Sequence, residues 1–185
     1  VTQGQRIALI GPNGVGKTTL FKTLLGEVQP ISGAYTFGSV VVLGYLSQEQ
    51  ELLDKNLTVL ETIQQIPELV NHTEARTFLH RFLFAGDEVF QLVETLSFGQ
   101  RSRLMLALLV AHHCNLLLLD EPLNHLDLTS QEAFEGALSQ FEGTILAIAH
   151  DQYFIDRFAQ FIWHFLPGGM QVELTEAIVE EIMRT

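Results

Sequence analysis

The chain has a single cysteine, Cys114, among 185 residues. That excludes an internal disulfide and suits a reducing, cytosolic setting. Cations are also scarce: 10 Lys plus Arg stand against 22 Asp plus Glu, a net charge of −12. Neutralising phosphates requires clustered positive side chains, so no direct nucleic-acid face is expected. Long apolar runs are missing. The longest uncharged one, Leu104 to Leu119, falls short of the roughly 18 to 20 residues of a spanning helix and is interrupted by His112, His113 and Asn115. His112, His113 and Cys114 lack a CxxC partner, and neighbours on a helix point in different directions, so they do not read as a metal site. The opening "VTQGQR" contains neither an apolar signal region nor an initiator Met and leads almost at once into a strand. The chain therefore reads as a cytoplasmic fragment of a longer protein. Low-complexity tracts and repeats of 20 to 50 residues are absent.

What is present is apolar: 47% hydrophobic residues, enough in a chain of this length to fill the core of one domain. Three short apolar runs, 6–11, 116–120 and 144–150, have the uniform hydrophobicity of strands buried on both faces. They predict an α/β fold with a mainly parallel sheet. Residues 33–46, "GAYTFGSVVVLGYL", read as an antiparallel pair flanking that sheet. "FLPGGMQVEL" reads as a hairpin near the end, followed by a short helix from about Thr175. Leu20, Phe21, Leu24 and Leu25 are spaced for a helix that Gly26 stops.

From about residue 50 to 112 the pattern becomes helical and predicts an inserted helical subdomain within one domain, 1–185. Thr58 with Glu61, and Asn71 with Glu74, have capping-box spacing, and Ala75, Phe78, Leu79, Phe82 and Leu83 form one apolar face. Thr129 and Glu132 predict the cap of a later helix whose inner face is Ala133, Phe134, Ala137, Leu138 and Phe141.

Chemistry concentrates at the ends of the strands. After the first comes "GPNGVGKTT": Gly11, Pro12, Asn13, Gly14, Val15, Gly16, Lys17, Thr18 and Thr19. Glycines at these spacings let successive amides converge on phosphate oxygens, a helix start favours anions, Lys17 reaches the outer phosphates and Thr18 can ligate magnesium. The second strand ends in Asp120 and Glu121. Ligands of open α/β sheets collect at the carboxyl ends of strands, so Asp120 can hold magnesium directly or through water, and Glu121 can polarise an attacking water. His150 ends the third strand, within reach of a terminal phosphate or of that water. In "LSFGQ" (Leu96, Ser97, Phe98, Gly99, Gln100), Ser97 and Gln100 form a capping-box pattern that opens an apolar helix. That helix start is either a structural cap alone or a second place to receive an anion. Arg101 and Arg103 either meet a partner or flank this helix. Trp163 and the phenylalanines read as core.

The ordered set "GPNGVGKTT", Gln48 in "LSQEQ", "LSFGQ", "LLLLDEP", Asp127 in "NHLD" and His150 in "AIAHDQYF" resembles the nucleotide-binding domain of ABC-type ATPases along essentially the whole chain. The resemblance implies an ATPase that uses ATP and Mg2+ and works as a head-to-tail sandwich. The second ATPase domain would come from the same chain or from a homodimer. Ser97 and Gly99 would then contact the γ-phosphate held by the partner's P-loop, and Asp127 would contact the partner across the sandwich. Gln48 would link magnesium and the attacking water to the helical subdomain, and His150 would be the γ-phosphate switch. Leu123 where Thr is usual, and Phe98 in place of the middle signature glycine, depart from the common pattern without removing a catalytic group.

"DEPLNHLD" and the helix after it look most like ABC-F proteins, soluble tandem ATPases of which many act on ribosomes in translation or antibiotic resistance, and most like their carboxyl-terminal ATPase domain. Ribosome contact would use regions outside this chain. Two alternatives accompany that expectation: the ATP-binding subunit of a membrane transporter, where Ser-Ala-Leu-Asp is commoner than Asn124–Asp127, and a nucleotide-gated clamp in which binding rather than turnover is the signal.

Overall fold

The computed structural model describes residues 1–47 and 53–175. Gln48 and the helix expected after Thr175 lie outside them. The chain divides into two compact units, one of Val1–Tyr45, Asn115–Pro122 and Gly143–Thr185, the other of Leu46–Cys114 and Leu123–Glu142.

The first unit is built on the sheet. The three apolar runs become β1 (Arg6–Ile10), β3 (Leu116–Asp120) and β4 (Thr144–Ile148), with β2 (Leu43–Leu46), β5 (Phe161–Leu166) and β6 (Gly169–Leu174) completing the spatial order β2-β3-β4-β1-β5-β6. The β3–β4, β4–β1 and β1–β5 pairs are parallel, whereas β5–β6 is the expected antiparallel hairpin. β4 is buried along its entire length, which is why its residues after Thr144 are apolar on both faces instead of alternating. Ile7, Leu9, Phe21, Leu118, Leu146 and Ile148 pack as a core between the sheet and α1 (Lys17–Leu24). At the end of α1, Gly26 takes φ 80°, and two bonds, Gly26 N–H to Thr23 O at 3.0 Å and Glu27 N–H to Lys22 O at 2.9 Å, close the last turn. A short helix, α6 (Gln152–Phe158), follows β4 and is capped by Asp151.

The antiparallel pair expected in 33–46 does not form. Only Leu43–Leu46 is a strand; residues 38–41 turn, with Val41 N–H on Gly38 O at 3.1 Å, and the backbone around them is held by a side chain instead of a ladder. The Asn115 amide donates to Val40 O at 2.8 Å and accepts from Val42 N–H at 2.8 Å, while its backbone N–H bonds Val42 O at 2.9 Å. Side chain-to-backbone bonds of this kind compete directly with strand pairing.

Among the described residues the second unit is helical: α2 (Val59–Gln64), α3 (His72–His80), α4 (Phe98–Ala111), α5 (Leu128–Ser139) and three short 3₁₀ turns. The subdomain expected at about 50–112 thus takes in a second, sequence-distant segment that carries α5. Thr58 and Glu61 form the predicted capping box, and Asn71 caps α3 by accepting from the amides of Thr73 and Glu74. Ala75, Leu79 and Phe82 are buried as expected, but Leu83 is exposed. It follows the end of α3 and adopts φ 61°, which turns its side chain off the helical face. The cap expected from Thr129 and Glu132 is supplied instead by Asp127, whose carboxylate accepts from Ser130 N–H at 2.8 Å, so α5 starts earlier.

Candidate nucleotide site

The loop after β1 turns sharply because glycines permit it. Gly14 and Gly16 adopt φ 76° and 111°, a backbone that lets neighbouring amides face one concavity. Gly16 is the N-cap of α1 with no side-chain partner, and the Leu20 N–H bond to Gly16 O at 2.9 Å begins the helical ladder, leaving the amides before it without helical acceptors. The dipole of α1 adds its positive end at the same place. Gly11 has a different reason to be glycine. The β1–β5 ladder runs to Ile10 opposite His164, so Gly11 lies beside Phe165, and a Cβ there would stand 2.3 Å from Phe165 O.

Lys17 is buried, 6% exposed, with its ammonium on Gly11 O at 2.7 Å and Pro12 O at 3.0 Å. The loop's own carbonyls hold the charge at the mouth of the amide concavity. Asp120, 7% exposed, ends β3 in the same unit. Burial raises the pKa of its carboxyl. Hydrogen bonds from Thr18 and Tyr45 oppose that, the charge of Glu121 adds to it, and the charge of Lys17 opposes it. The Tyr45 hydroxyl is 3.3 Å from Asp120 Oδ2.

A carboxylate disfavoured by its own burial, joined to a threonine hydroxyl, is a hard-oxygen pair matched to Mg2+. Among the described residues no three His, Cys, Asp or Glu side chains converge.

Glu121 adopts φ 51°, left-handed for a non-glycine residue, and its N–H is bonded to Ile148 O at 3.1 Å. The strained backbone stands at the strand end, where function most often retains strain. Glu121 Oε1 lies 3.4 Å from His150 Nε2, and the two side chains are 26% and 43% exposed, accessible to water and to a ligand. Lys17, Thr18, Asp120, Glu121 and His150 are therefore brought into one linked group in the first unit. Tyr45 and Phe165 are the members that sequence reasoning missed. Phe165 is one more apolar residue of a hairpin strand, and Tyr45 one of three tyrosines, so neither carries a distinguishing pattern.

In the second unit, Ser97 caps α4 through a complete capping box. Its hydroxyl accepts from Gln100 N–H at 3.2 Å and its N–H donates to Gln100 Oε1 at 2.9 Å. Leu96 and Gly99 are buried and Ser97 is exposed at the helix start. Both arginines have roles within the unit: Arg101 donates to Leu96 O, and Arg103 donates to Leu83 O at 2.8 Å with its guanidinium carbon 4.9 Å from the centre of the Phe84 ring. Asp127 is exposed, and its capping of α5 is a local role for a residue expected to serve a partner.

These motifs, on this sheet, define a P-loop nucleotide-binding fold, and the chain belongs to the ABC transporter family, whose profile matches residues 1–124. It is 42% identical to the putative ATP-binding protein YdiF of Bacillus subtilis over 99% of its own length and 27% of that protein's. It is 39% identical to the energy-dependent translational throttle protein EttA of Escherichia coli K12, over 95% of the chain and 32% of EttA. With ABC transporter F family member 5 of Arabidopsis thaliana the identity is 40%, over 84% of the chain and 23% of that protein. These relatives bear out the resemblance to ABC-F proteins. The chain spans about a quarter to a third of their length. Its fold is similar to a dimeric ATP-binding cassette solved in a post-hydrolysis state with ADP and Pi: TM-score 0.76 at 20% identity, covering 94% of this chain and 87% of that one. Among the described residues no helix is long and apolar enough to cross a membrane.

Proposed function

We propose that the domain binds and hydrolyses ATP with magnesium, as one half of a sandwich closed by a second ATPase domain of the same chain or by another copy. The observation that carries this reading is the convergence of a buried Lys17 and its glycine loop with Asp120, Glu121 and His150 at the ends of adjacent strands. Amides of residues 14–19 and Lys17 would hold the phosphates, and Thr18 and Asp120 would hold the metal. Bound magnesium would neutralise charge on the outer phosphate oxygens. Glu121 would take the proton of the attacking water, and His150 would orient the terminal phosphate. Ser97 and Gly99 would meet the phosphate held on the second domain, and Asp127 would contact that domain.

The cassette of similar fold whose solved form is dimeric, with ADP and Pi bound, supports the two-domain arrangement. Asn124 to Asp127, together with a relative named as a translational throttle, favours a cytoplasmic ABC-F role on the ribosome, in translation or antibiotic resistance, over a transporter subunit. The test is Glu121→Gln in the intact protein. Losing a general base lowers turnover by about 10² to 10⁴, while the amide, lysine and metal contacts that bind ATP are untouched. Turnover within a factor of two or three of wild type would remove Glu121 from this role.

A further inference from the structure

Gly99, Phe98 and the loop that ends in Asp127 meet inside the second unit. A Cβ on Gly99 would lie 2.7 Å from Ser130 Cβ, 2.8 Å from Ser130 Oγ and 3.3 Å from Leu126 Cδ2. Real Cβ atoms essentially never come so close, and here the obstacle is the root of a side chain on α5, not a flexible tip. Ser130 is itself fixed, since its N–H is the one capped by Asp127 at 2.8 Å. A second contact runs in parallel: the Phe98 ring meets His125 edge to face, centroids 6.0 Å apart, and His125 sits at φ 64°, in the left-handed region that few non-glycine residues adopt. Two helix starts and the loop between them are thus joined at two independent points.

We propose that the 96–100 turn and the 124–127 loop form one preorganised docking element, with Ser130 as the positioning residue that joins them. The proposal rests on the reading that Ser97 and Gly99 face nucleotide bound to a second domain. It adds a distinct cause for the glycine at 99: α5 must approach α4 at this point, whatever the phosphate requires. Binding to a partner costs less when the contacting groups are already mutually fixed. Asp127 and the signature therefore arrive at the partner as one surface, with Asp127 capping Ser130 and the Ser130 side chain filling the space that a Cβ on Gly99 would need.

A compensation experiment in the intact protein tests this. Gly99→Ala adds the methyl that the spacing forbids. Overpacking of this size shifts a positioned group enough to lower kcat about tenfold or more. Affinity for trinitrophenyl-ATP is measured alongside, so that lost binding is read separately from lost kcat. In Gly99→Ala/Ser130→Gly the opposing Cβ and Oγ are removed, and kcat returns to within about threefold of the Ser130→Gly single variant. Gly99→Ala/Ser130→Ala keeps the obstructing Cβ and does not recover. Loss of kcat in Gly99→Ala that Ser130→Gly leaves unrepaired, in a variant whose melting temperature is unchanged, overturns the proposal. So does a Gly99→Ala enzyme with normal kcat. Ser97→Ala is measured alongside: normal kcat in that variant refutes the underlying reading that the signature acts on nucleotide, whereas a loss there without compensation at 130 refutes only the positioning role.

Discussion

Replacing Gly11 by alanine tests how tightly the phosphate loop is tied to the hairpin beside it. The added Cβ would stand 2.3 Å from Phe165 O and 3.2 Å from Phe165 C. These are backbone atoms of a strand residue paired with Met170 of β6, one position past the end of the β1 ladder, so they cannot rotate aside as a side chain would. Forcing an extra methyl into packed surroundings costs about 1 to 3 kcal/mol, and a backbone conformation reserved for glycine, here φ 148°, adds about 1 to 3 kcal/mol. The sum, about 2 to 6 kcal/mol, is a large share of the roughly 5 to 15 kcal/mol that holds an ordinary domain. At about 2 to 4 °C per kcal/mol for a chain of this size, scanning calorimetry should show the melting temperature falling by about 4 to 24 °C. Gly26→Ala is the control. Gly26 also has a positive φ, 80°, but nothing within 4 Å of the missing Cβ. It should cost only about 1 to 2 kcal/mol of conformational strain. Equal losses in the two variants would refute the close approach of Phe165 as the reason for the glycine. ATP affinity should fall as well in Gly11→Ala, because a loop shift that relieves the clash disturbs Gly11 O, on which the Lys17 ammonium rests.

Two further outcomes follow from buried charge. Burial raises the Asp120 pKa in the metal-free protein, so between the ordinary carboxylate value of 3.8 and the raised one the native state holds a proton that the unfolded chain has released. Stability should therefore fall as pH rises through that window, and Asp120→Asn should flatten the trend in urea midpoints while abolishing the stabilisation wild type gains from magnesium with ATP. A pH trend unchanged by Asp120→Asn would refute the assignment. Arg103→Ala leaves Leu83 O and Phe82 O without their donor and uncovers Phe84. It should cost about 3 kcal/mol in urea unfolding, with Arg103→Lys losing less, and a change under about 1 kcal/mol would show that the guanidinium is dispensable.

Features with short range were legible in the sequence. Uniform apolar runs located β1, β3 and β4, since burial on both faces leaves no other composition, and the strand-end rule then placed Asp120, Glu121 and His150 with the P-loop. Capping boxes at Thr58 and Ser97 were legible because both partners lie within one turn. What escaped notice depends on distant neighbours or on backbone torsion. Nothing local announces that Asn115 will fasten residues 40 and 42, that α5 will join a unit begun some eighty residues earlier, or that Glu121 will adopt φ 51°. Thr129 and Glu132 have the spacing of a box, but the loop reaches a carboxylate acceptor, Asp127, two residues before Thr129. Leu83 kept the helical period that its own torsion had already broken.

The amide of Glu121 is fastened to Ile148 O, so the strand that delivers His150 also sets the pivot from which the carboxylate hangs. The pair behaves like the jaws of a caliper whose gap is dictated by two adjacent arms of matched length. Residues along those arms are interchangeable as long as they remain greasy, but inserting or deleting a single one would rotate a jaw to the opposite side of the sheet. Across descendants of this chain, then, the arms should vary freely in lettering and scarcely at all in length.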